Sequence, residues 1–290
     1  MRITENYVTK EIKYKDKSAA NFLYNSLPGR ILLKLLVKNT VSRFAGVLMK
    51  SSASKRFITR FIKQNNIDMD EYENVNYKSF NDFFIRKIKN GNRPFSDNIN
   101  DIIAPCDGKL TIYPITPDGS FIVKNSIFTI ESLLMDKNLA DEFKDGICLI
   151  FRLTPDDYHR YIYIDDGEII SAKKIKGVLH TVRPIAFDKY KVYKQNTREY
   201  TVQQTKNLGK VIQMEVGALF VGRISNHIKG HTFKRGDEKG MFEFGGSTIV
   251  LMFQKNTVEL NKSIYENTLL KKETIVKMGN KIGEKIFNIR

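Results

Sequence analysis

The sequence predicts an α+β protein in which amphipathic N-terminal helices are followed by a β-rich body. Near the N-terminus, apolar residues recur at spacings of three and four. After residue 102, short β-branched and aromatic runs alternate with glycines and other turn residues. We therefore expect a basic, helical region over residues 1–75 and a β-rich domain over residues 76–290.

Two amphipathic helices are predicted in the basic region. The first follows Pro28 and Gly29, and its apolar stripe consists of Leu33, Val37, Val41, Phe44 and Leu48. In the second, Ser54 is expected to cap a helix whose apolar face consists of Phe57, Ile58, Phe61 and Ile62. Such stripes either pack on the body or enter a membrane surface, and the sequence leaves both interpretations open.

Two more helices and a series of strands are predicted in the rest of the chain. Ser79 and Asp82 form a capping-box pattern for a helix over about residues 80–89, which Gly91 and Pro94 end. Another helix is expected over about residues 129–143. The clearest strand patterns are Ile147–Leu153, Tyr161–Ile164, Tyr200–Gln203, Val211–Val216 and Thr248–Phe253.

Charge and cysteine content limit the class of partner and the compartment. The formal net charge is +16, and the segment from Lys17 to Ile67 holds ten Lys or Arg and no Asp or Glu. This balance indicates an anionic partner. Cys106 and Cys148 are too few for a disulfide framework, which favours a reducing, cytosolic setting. We see neither a signal peptide nor an apolar run of about 18 residues, so contact with a membrane would be peripheral.

Three local patterns contain side chains that can carry chemistry. Asp107 lies in the tight turn PCDG, and His159 lies where a loop enters a predicted strand. Ser247 follows Gly245 and Gly246 at the start of a strongly apolar strand. Each pattern alone has an ordinary structural explanation. A Gly-Ser bond is, however, the least hindered place for a serine hydroxyl to attack the preceding carbonyl, because glycine tolerates the backbone strain.

Other common sites are not indicated by the sequence. The histidines are His159, His180, His227 and His231, and no pair of them has the spacing of a zinc protease. There is no CxxC, phosphate-loop or GxSxG motif, so we expect no metal site.

The order of several segments resembles the phosphatidylserine decarboxylase family. The similar segments are SFNDFFIRKIKNGNRP, PCDG, DYHR, GVLHTVRPIA, NTRE, VGALFVGRI and KRGDEKGMFEFGGST. They cover roughly residues 78–255, and the tail with ETIVKMGNKIG also resembles the C-terminal end of the family. The Gly-Gly-Ser-Thr sequence resembles one branch of the family. Seven ordered motifs make this resemblance specific.

The resemblance implies a proenzyme that cuts itself. Members use an Asp-His-Ser arrangement, which maps onto Asp107, His159 and Ser247. The cut would fall between Gly246 and Ser247 and yield a β chain, residues 1–246, and an α chain, residues 247–290. Ser247 would become a covalent pyruvoyl cofactor.

The resemblance also implies the reaction. The pyruvoyl carbonyl would form a Schiff base with phosphatidylserine and yield phosphatidylethanolamine and CO2. His159 is the candidate for proton transfer. Many members have a second histidine in YHRxH, where this chain has Ile162, so either His159 serves alone or His180 assists.

Candidate substrate contacts, partners and location complete these expectations. Arg86, Arg93 and Arg223 either bind phosphate or carboxylate groups of the substrate or form ion pairs within the fold. His180 is a further candidate for substrate binding. We expect a peripheral protein on the cytoplasmic face of the cell membrane that binds anionic phospholipid. The β and α chains would stay associated, a homodimer is implied, and nucleic acid is not an expected partner.

Three rival functions remain to be weighed. The first is a pyruvoyl-dependent decarboxylase of a soluble amino acid, against which the acid-free basic segment argues. The second is a non-catalytic peripheral membrane protein on the same scaffold, against which the intact Gly246-Ser247 pair argues. The third is a nucleic-acid binder, which the charge permits although no recognised motif supports it.

Overall fold

The computed structural model describes residues 9–11, 19–123, 126–182, 184–187, 190–219, 223–227, 230–245 and 247–287. Gly246 and Arg183 are thus outside the described residues. Two 3-10 helices are present at Ser52–Phe57 and Met69–Glu71. The α-helices are α1 (Ala19–Asn25), α2 (Leu27–Leu36), α3 (Asn39–Lys50), α4 (Ile58–Asn65), α5 (Phe80–Phe84), α6 (Ile130–Leu134), α7 (Lys137–Asp141), α8 (Pro184–Phe187), α9 (Val192–Gln195) and α10 (Lys262–Leu269).

Strands dominate the rest of the described chain. They are β1 (Thr9–Glu11), β2 (Asp101–Ile103), β3 (Gly108–Pro114), β4 (Ser120–Val123), β5 (Ser126–Thr129), β6 (Ile147–Leu153), β7 (Arg160–Ile162), β8 (Gly167–Ile175), β9 (Arg198–Thr205), β10 (Lys210–Gly217), β11 (Ile224–Asn226), β12 (Thr232–Phe233), β13 (Glu238–Phe242), β14 (Ser247–Phe253), β15 (Val258–Leu260), β16 (Lys272–Val276) and β17 (Lys281–Lys285). N-terminal helices followed by a β-rich body confirm the predicted α+β class.

A nine-stranded antiparallel sheet organises the body. Its strand order is β1-β16-β3-β6-β14-β10-β9-β8-β12. Smaller sheets have the orders β11-β13-β7, β15-β17-β2 and β4-β5. Strand β14 lies between β6 and β10 and is buried along its whole length, as its unbroken apolar sequence predicts for a strand covered on both faces.

The prediction of one continuous first helix is wrong, and only part of its predicted apolar stripe is buried. It is split into α2 and α3 because the carbonyl of Val37 accepts a bond from Leu179 N at 2.9 Å and the backbone of Lys38 is extended. Pro28 and Gly29 lie inside the first turn of α2, which Ser26 caps. Leu33 and Val37 are buried, whereas Phe44 and Leu48 of α3 are exposed. The stripe therefore packs on the body only over α2.

The prediction that Ser54 caps the second helix is also wrong. Ser54 lies within a 3-10 helix, and Phe57 precedes α4 without a side-chain cap. The Ser54 hydroxyl donates to the carbonyls of Met49 and Ser51 and accepts a bond from Phe80 N at 2.8 Å. Its role is to connect the basic region to α5.

The other two predicted helices begin correctly but are shorter than expected. Ser79 caps α5, which ends at Phe84 because the following residues pair with an earlier turn, Lys89 N donating to Glu71 O at 3.0 Å. Thr129 caps α6, but the left-handed backbone of Met135 (φ 49°) ends it before α7 starts. Within the described residues, every helix is too short or too polar to cross a membrane.

Candidate active site

The three residues of the predicted self-cleavage machinery lie at one end of neighbouring strands. Asp107 immediately precedes β3, and the loop that follows β6 leads to His159. Ser247 is the first residue of β14 and is paired with Leu153, the last residue of β6. Because β3, β6 and β14 are adjacent, the sheet brings together residues that are far apart in sequence.

Ser247 is buried in a setting that leaves its hydroxyl without a partner. Its side chain is fully buried, and among the described residues Oγ has no hydrogen-bond partner. Gly217 lies opposite it on β10, where an added Cβ would come within 3.2 Å of the Leu179 side chain. An unsatisfied buried polar group costs about 1–3 kcal/mol, so this hydroxyl is held at an energetic cost. A catalytic role is one of the explanations for a buried polar group without a partner.

His159 is held as a neutral base. Its Nδ1 lies 2.8 Å from the carbonyl oxygen of Asp157, which can only accept, so Nδ1 carries the proton and Nε2 the lone pair. Nε2 is buried and has no hydrogen-bond partner in the part of the chain that the structure describes. Burial, followed by the nearby charge of Arg86, lowers the pKa of His159 to about 3. The imidazole is therefore unprotonated at neutral pH and available as a proton acceptor.

The loop that orients His159 is fixed by a buried ion pair that the sequence analysis missed. Lys109 Nζ lies 2.6 and 2.8 Å from the carboxylate oxygens of Asp157. The same carboxylate accepts a bond from Thr154 N at 2.6 Å. Asp157 was visible in the DYHR motif and Lys109 follows PCDG directly, but nothing in the sequence pairs them.

Asp107 is engaged with other residues than His159. Its buried carboxylate accepts bonds from Arg93 Nη2 at 2.9 Å and from Met278 N at 2.8 Å, and Lys277 Nζ lies at 3.3 Å. Burial raises the pKa of Asp107, but Arg93 and Lys277 outweigh it and hold the pKa below its ordinary value. Within the described structure, no hydrogen bond joins Asp107 to His159. A role for Asp107 in self-cleavage stays a prediction.

His159 and the segment before Ser247 share several contacts. The His159 carbonyl accepts a bond from Phe242 N at 2.9 Å, where β7 and β13 meet. The ring of Phe84 lies 4.1 Å from that of His159 and 5.3 Å from that of Phe244. The predicted base is thus packed against the chain that leads to the predicted cleavage point, of which Gly246 lies outside the described residues.

A buried charge pair lies beside Ser247 on the same face of the large sheet. Glu215 is two residues before Gly217 on β10, so it is a diagonal neighbour of Ser247, at roughly 7–8 Å. Its Oε1 lies 2.7 Å from Lys239 Nζ, and both side chains are fully buried. Burial raises the pKa of Glu215 and lowers that of Lys239, whereas their mutual attraction opposes both shifts. The pair joins β13, which leads to Ser247, to β10.

The remaining candidates lie in three different environments. Arg86 is buried and stacked 4.2 Å from the Tyr72 ring, and among the described residues no carboxylate lies within ion-pair distance of it. His180 is buried, stacks on Tyr190 and forms a hydrogen bond with the Tyr24 hydroxyl at 3.2 Å. Arg223 is exposed. Of these three candidates, Arg86 is the buried cation whose charge acts on His159.

Comparison with known proteins decides the family. The family model described as phosphatidylserine decarboxylase matches residues 80–284. This chain belongs to the phosphatidylserine decarboxylase family. The match begins at the first residue of α5 and includes Asp107, His159 and Ser247, in agreement with the resemblance inferred from the ordered motifs.

Similar proteins extend the agreement to nearly the whole chain. A phosphatidylserine decarboxylase proenzyme 2 of Clostridium acetobutylicum is 50% identical over 95% of this chain and 96% of its own length. A phosphatidylserine decarboxylase proenzyme of Fusobacterium nucleatum is 40% identical over 94% and 93%. One of Clostridium kluyveri is 37% identical over 97% and 98%. The basic region therefore belongs to the part shared with phosphatidylserine decarboxylase relatives, and the chain is an enzyme of the decarboxylase class.

Proposed function

We propose that this chain is a self-processing phosphatidylserine decarboxylase that converts phosphatidylserine to phosphatidylethanolamine and CO2 with a pyruvoyl group made from Ser247. The observation that carries the proposal is a pair of buried atoms without partners, Ser247 Oγ and His159 Nε2, at one end of the central strands. A hydroxyl and a neutral imidazole are the two groups that serine-driven self-cleavage requires. The proenzyme names of the relatives fit this chemistry.

Self-cleavage can be written with every bond accounted for. His159 Nε2 accepts the proton of Ser247 Oγ, and Oγ bonds to the carbonyl carbon of Gly246. The Gly246–Ser247 amide bond breaks, its nitrogen takes up a proton, and an ester remains. Loss of the α-proton of residue 247 expels the Gly246 carboxylate and leaves dehydroalanine. Tautomerisation and addition of one water then release one ammonia and leave the pyruvoyl group.

The surroundings of Ser247 fit such a group. Gly217 presents no side chain opposite it, and the buried position at the start of β14 excludes water. Once formed, the pyruvoyl group supplies a carbonyl that condenses with the amine of the substrate and takes up the electrons released with CO2. His159 Nε2 is the atom proposed to carry the proton to the carbon that has lost CO2. Ile162 is buried in β7, so the proposal assigns this transfer to His159 alone.

Arg86 is the proposed contact for an anionic group of the substrate. A guanidinium held beside His159 without a carboxylate partner is available to bind a phosphate or carboxylate oxygen. His180 is occupied by Tyr24 and Tyr190, which favours a packing role. Arg223 lies at the surface and can act only if the substrate extends that far.

The two chains are proposed to remain associated after the cut. Strand β14 of the α chain lies between β6 and β10 of the β chain. Asp107 of the β chain also binds Lys277 and Met278 of the α chain. Separation would expose the central strand of the sheet. The homodimer implied by the family resemblance remains a proposal that light scattering of the purified protein tests.

Peripheral binding to an anionic membrane on the cytoplasmic side is proposed for the basic region. Leu27, Ile31 and Leu35 recur every four residues along α2 and are 71%, 68% and 53% exposed. On α3, Phe44 and Val47 are each 66% exposed. Exposed apolar side chains among lysines and arginines are typical of helices that lie in a membrane interface.

Intact mass of the purified protein under denaturing conditions tests the proposal. We expect two species, residues 1–246 and residues 247–290, the smaller one lighter by one ammonia than a fragment that begins with serine. Ser247→Ala should remain one uncut chain and should release no CO2 from phosphatidylserine vesicles. Cleavage of Ser247→Ala, or a wild-type protein that stays at 33.5 kDa, would overturn the proposal.

A further inference from the structure

The segment that precedes Ser247 is held from outside the large sheet. Phe244 N donates to the side-chain oxygen Asn81 Oδ1 at 3.2 Å. The Phe244 ring makes edge contacts with Phe80 at 5.1 Å and Phe84 at 5.3 Å. Asn81, Phe80 and Phe84 all belong to α5, so this five-residue helix is the main support of the chain just before the predicted cut.

The same helix supports the predicted base. The Phe84 ring lies 4.1 Å from the His159 ring, and Phe84 is fully buried. Helix α5 itself is fixed, since Ser79 caps it and Phe80 N donates to Ser54 Oγ at 2.8 Å. One short and immobilised element therefore touches both halves of the reaction, the base and the segment that carries the carbonyl to be attacked.

Such support matters because the segment has little stiffness of its own. Gly245 has a φ of +137°, a conformation open to glycine but rarely to other residues, and Gly246 likewise has no side chain. Attack of a hydroxyl on the preceding carbonyl needs the reacting atoms close and aligned. A hydrogen bond to the backbone of Phe244 restrains the chain two residues before that carbonyl.

We infer that Asn81 is a positioning residue for self-cleavage, which acts by holding Phe244 while Phe84 of the same helix holds His159. This inference rests on the proposed self-cleavage at Ser247. Asn81 touches neither reacting atom and serves through the backbone of Phe244. It is 6% exposed, so its bond to Phe244 N is shielded from water.

The test measures the rate of self-cleavage of the full chain as it is synthesised in a cell-free system, with a radiolabelled pulse and a chase. Asn81→Leu keeps the volume but removes the acceptor, and we expect cleavage to slow by roughly 10- to 100-fold, as for a small misplacement of reacting groups. Asn81→Asp keeps the acceptor oxygen and should cleave at close to the wild-type rate. Phe61→Leu is the matched control, because Phe61 packs on Phe80 and Phe83 of the same helix.

Stability and rate together separate positioning from folding. Unfolding midpoints are measured on the uncut Ser247→Ala background, where Asn81→Leu and Phe61→Leu should lose similar stability. Only Asn81→Leu should then cleave slowly in the otherwise wild-type chain. Cleavage at the wild-type rate in Asn81→Leu, or slowing of both variants in proportion to lost stability, would overturn the inference.

Treatment with hydroxylamine shows whether the slow step in Asn81→Leu comes before or after ester formation. At neutral pH it cuts esters, so it should release residues 1–246 and 247–290 only where the bond from Ser247 Oγ to the Gly246 carbonyl has already formed; a cut at Asn90-Gly91, which hydroxylamine attacks at alkaline pH, gives fragments of other sizes. Slow Asn81→Leu precursor should remain uncut when hydroxylamine is added, because the ester itself forms slowly. Release of fragments would place the defect after ester formation and would contradict the positioning role. If the wild-type chain is not cut at all, the proposed function fails, whatever Asn81 does.

Discussion

The basic region and the β-rich body use charge in opposite ways. The body holds buried and paired charges, such as Lys239 with Glu215 and Lys109 with Asp157. In the segment from Lys17 to Ile67, the described basic side chains are mostly exposed, and the ion pair seen between described residues is that of Lys50 with Glu243. Buried pairs fix geometry, whereas exposed unpaired cations remain free for an anionic surface.

The two regions also differ in their apolar side chains. The body buries its apolar strands in one continuous core, whereas large apolar side chains of α2 and α3 are exposed to solvent. The buried ion pairs and the continuous core suit the body to chemistry. The exposed cations and exposed apolar side chains suit the helices to binding at a surface. Contacts that join the regions include those of Lys50 with Glu243, Ser54 with Phe80 and Tyr24 with His180.

The largest expected effect concerns chemistry in the body. His159→Gln removes the base, so self-cleavage should slow by roughly 10²- to 10⁴-fold, the range for general-base catalysis. Binding to anionic vesicles should not change, because the basic region is untouched. The cleaved fraction against time on denaturing gels measures the first effect, and vesicle co-sedimentation measures the second.

His231→Gln is the matched control, since His231 is exposed and has no assigned role. It should mature like the wild type. If His159→Gln also matures at the wild-type rate, another group is the base and the assignment of the chemistry to His159 is wrong.

An effect of intermediate size is expected where Tyr24 of the basic region contacts His180 of the body. There, the free energy of unfolding should depend on pH. Thr181 N donates to the Tyr24 hydroxyl, which also forms a hydrogen bond with His180 Nδ1 at 3.2 Å. Burial lowers the pKa of His180 from 6.5 to about 4. The unfolded chain thus binds the proton first, and the stability from this contact is complete above about pH 6.5 and is lost as the pH falls towards 4.

Urea unfolding at a series of pH values, followed by circular dichroism on the uncut Ser247→Ala background, measures this loss. His180→Gln cannot titrate, so its stability should fall less between pH 6.5 and pH 4. His159 is present in both proteins, so its contribution to the pH dependence of stability cancels in the comparison. Equal pH dependence of the two proteins would show that His180 does not titrate on unfolding.

The smallest effect per residue is expected at the surface of the basic region. Each Lys or Arg near an anionic membrane contributes about 1 kcal/mol, roughly fivefold in binding. Replacing Lys34, Lys38, Lys55 and Arg56 by Gln should weaken co-sedimentation with phosphatidylglycerol vesicles stepwise and reduce its salt dependence. Self-cleavage should be unaffected.

The matched control replaces four exposed lysines of the body, Lys176, Lys194, Lys262 and Lys271, by Gln. The net charge then changes equally in both variants. Equal weakening by the two sets would mean that net charge, rather than the basic region, directs binding, and the contrast between the two regions would not extend to the membrane.

Local signals in the sequence were sufficient for much of the fold and for the candidates at the site. Strand β6 has the predicted bounds, Ser79 caps a helix as its capping pattern indicated, and α6 begins where a helix was expected. Ser247 was identified by two preceding glycines and an apolar strand. These features depend on neighbours within a few residues, which is the range over which caps, turns and periodicity act.

Tertiary contacts decided what local patterns could not. The break between α2 and α3 depends on Leu179, which is far away in sequence and uses the carbonyl of Val37. The resemblance grouped Asp107 with His159 but did not reveal their partners: the Asp107 carboxylate is held by Arg93 and Lys277, and the Asp157 carbonyl orients His159.

The sequence by itself therefore determined which residue types can do the chemistry and that they lie in turns or at the starts of strands. The tertiary structure decided which of them meet and which element holds them, as α5 holds both Phe244 and His159. The physical reason is that a buried polar group takes whichever partner the packed core brings within hydrogen-bond distance, and that partner is set by the register of strands far apart in sequence.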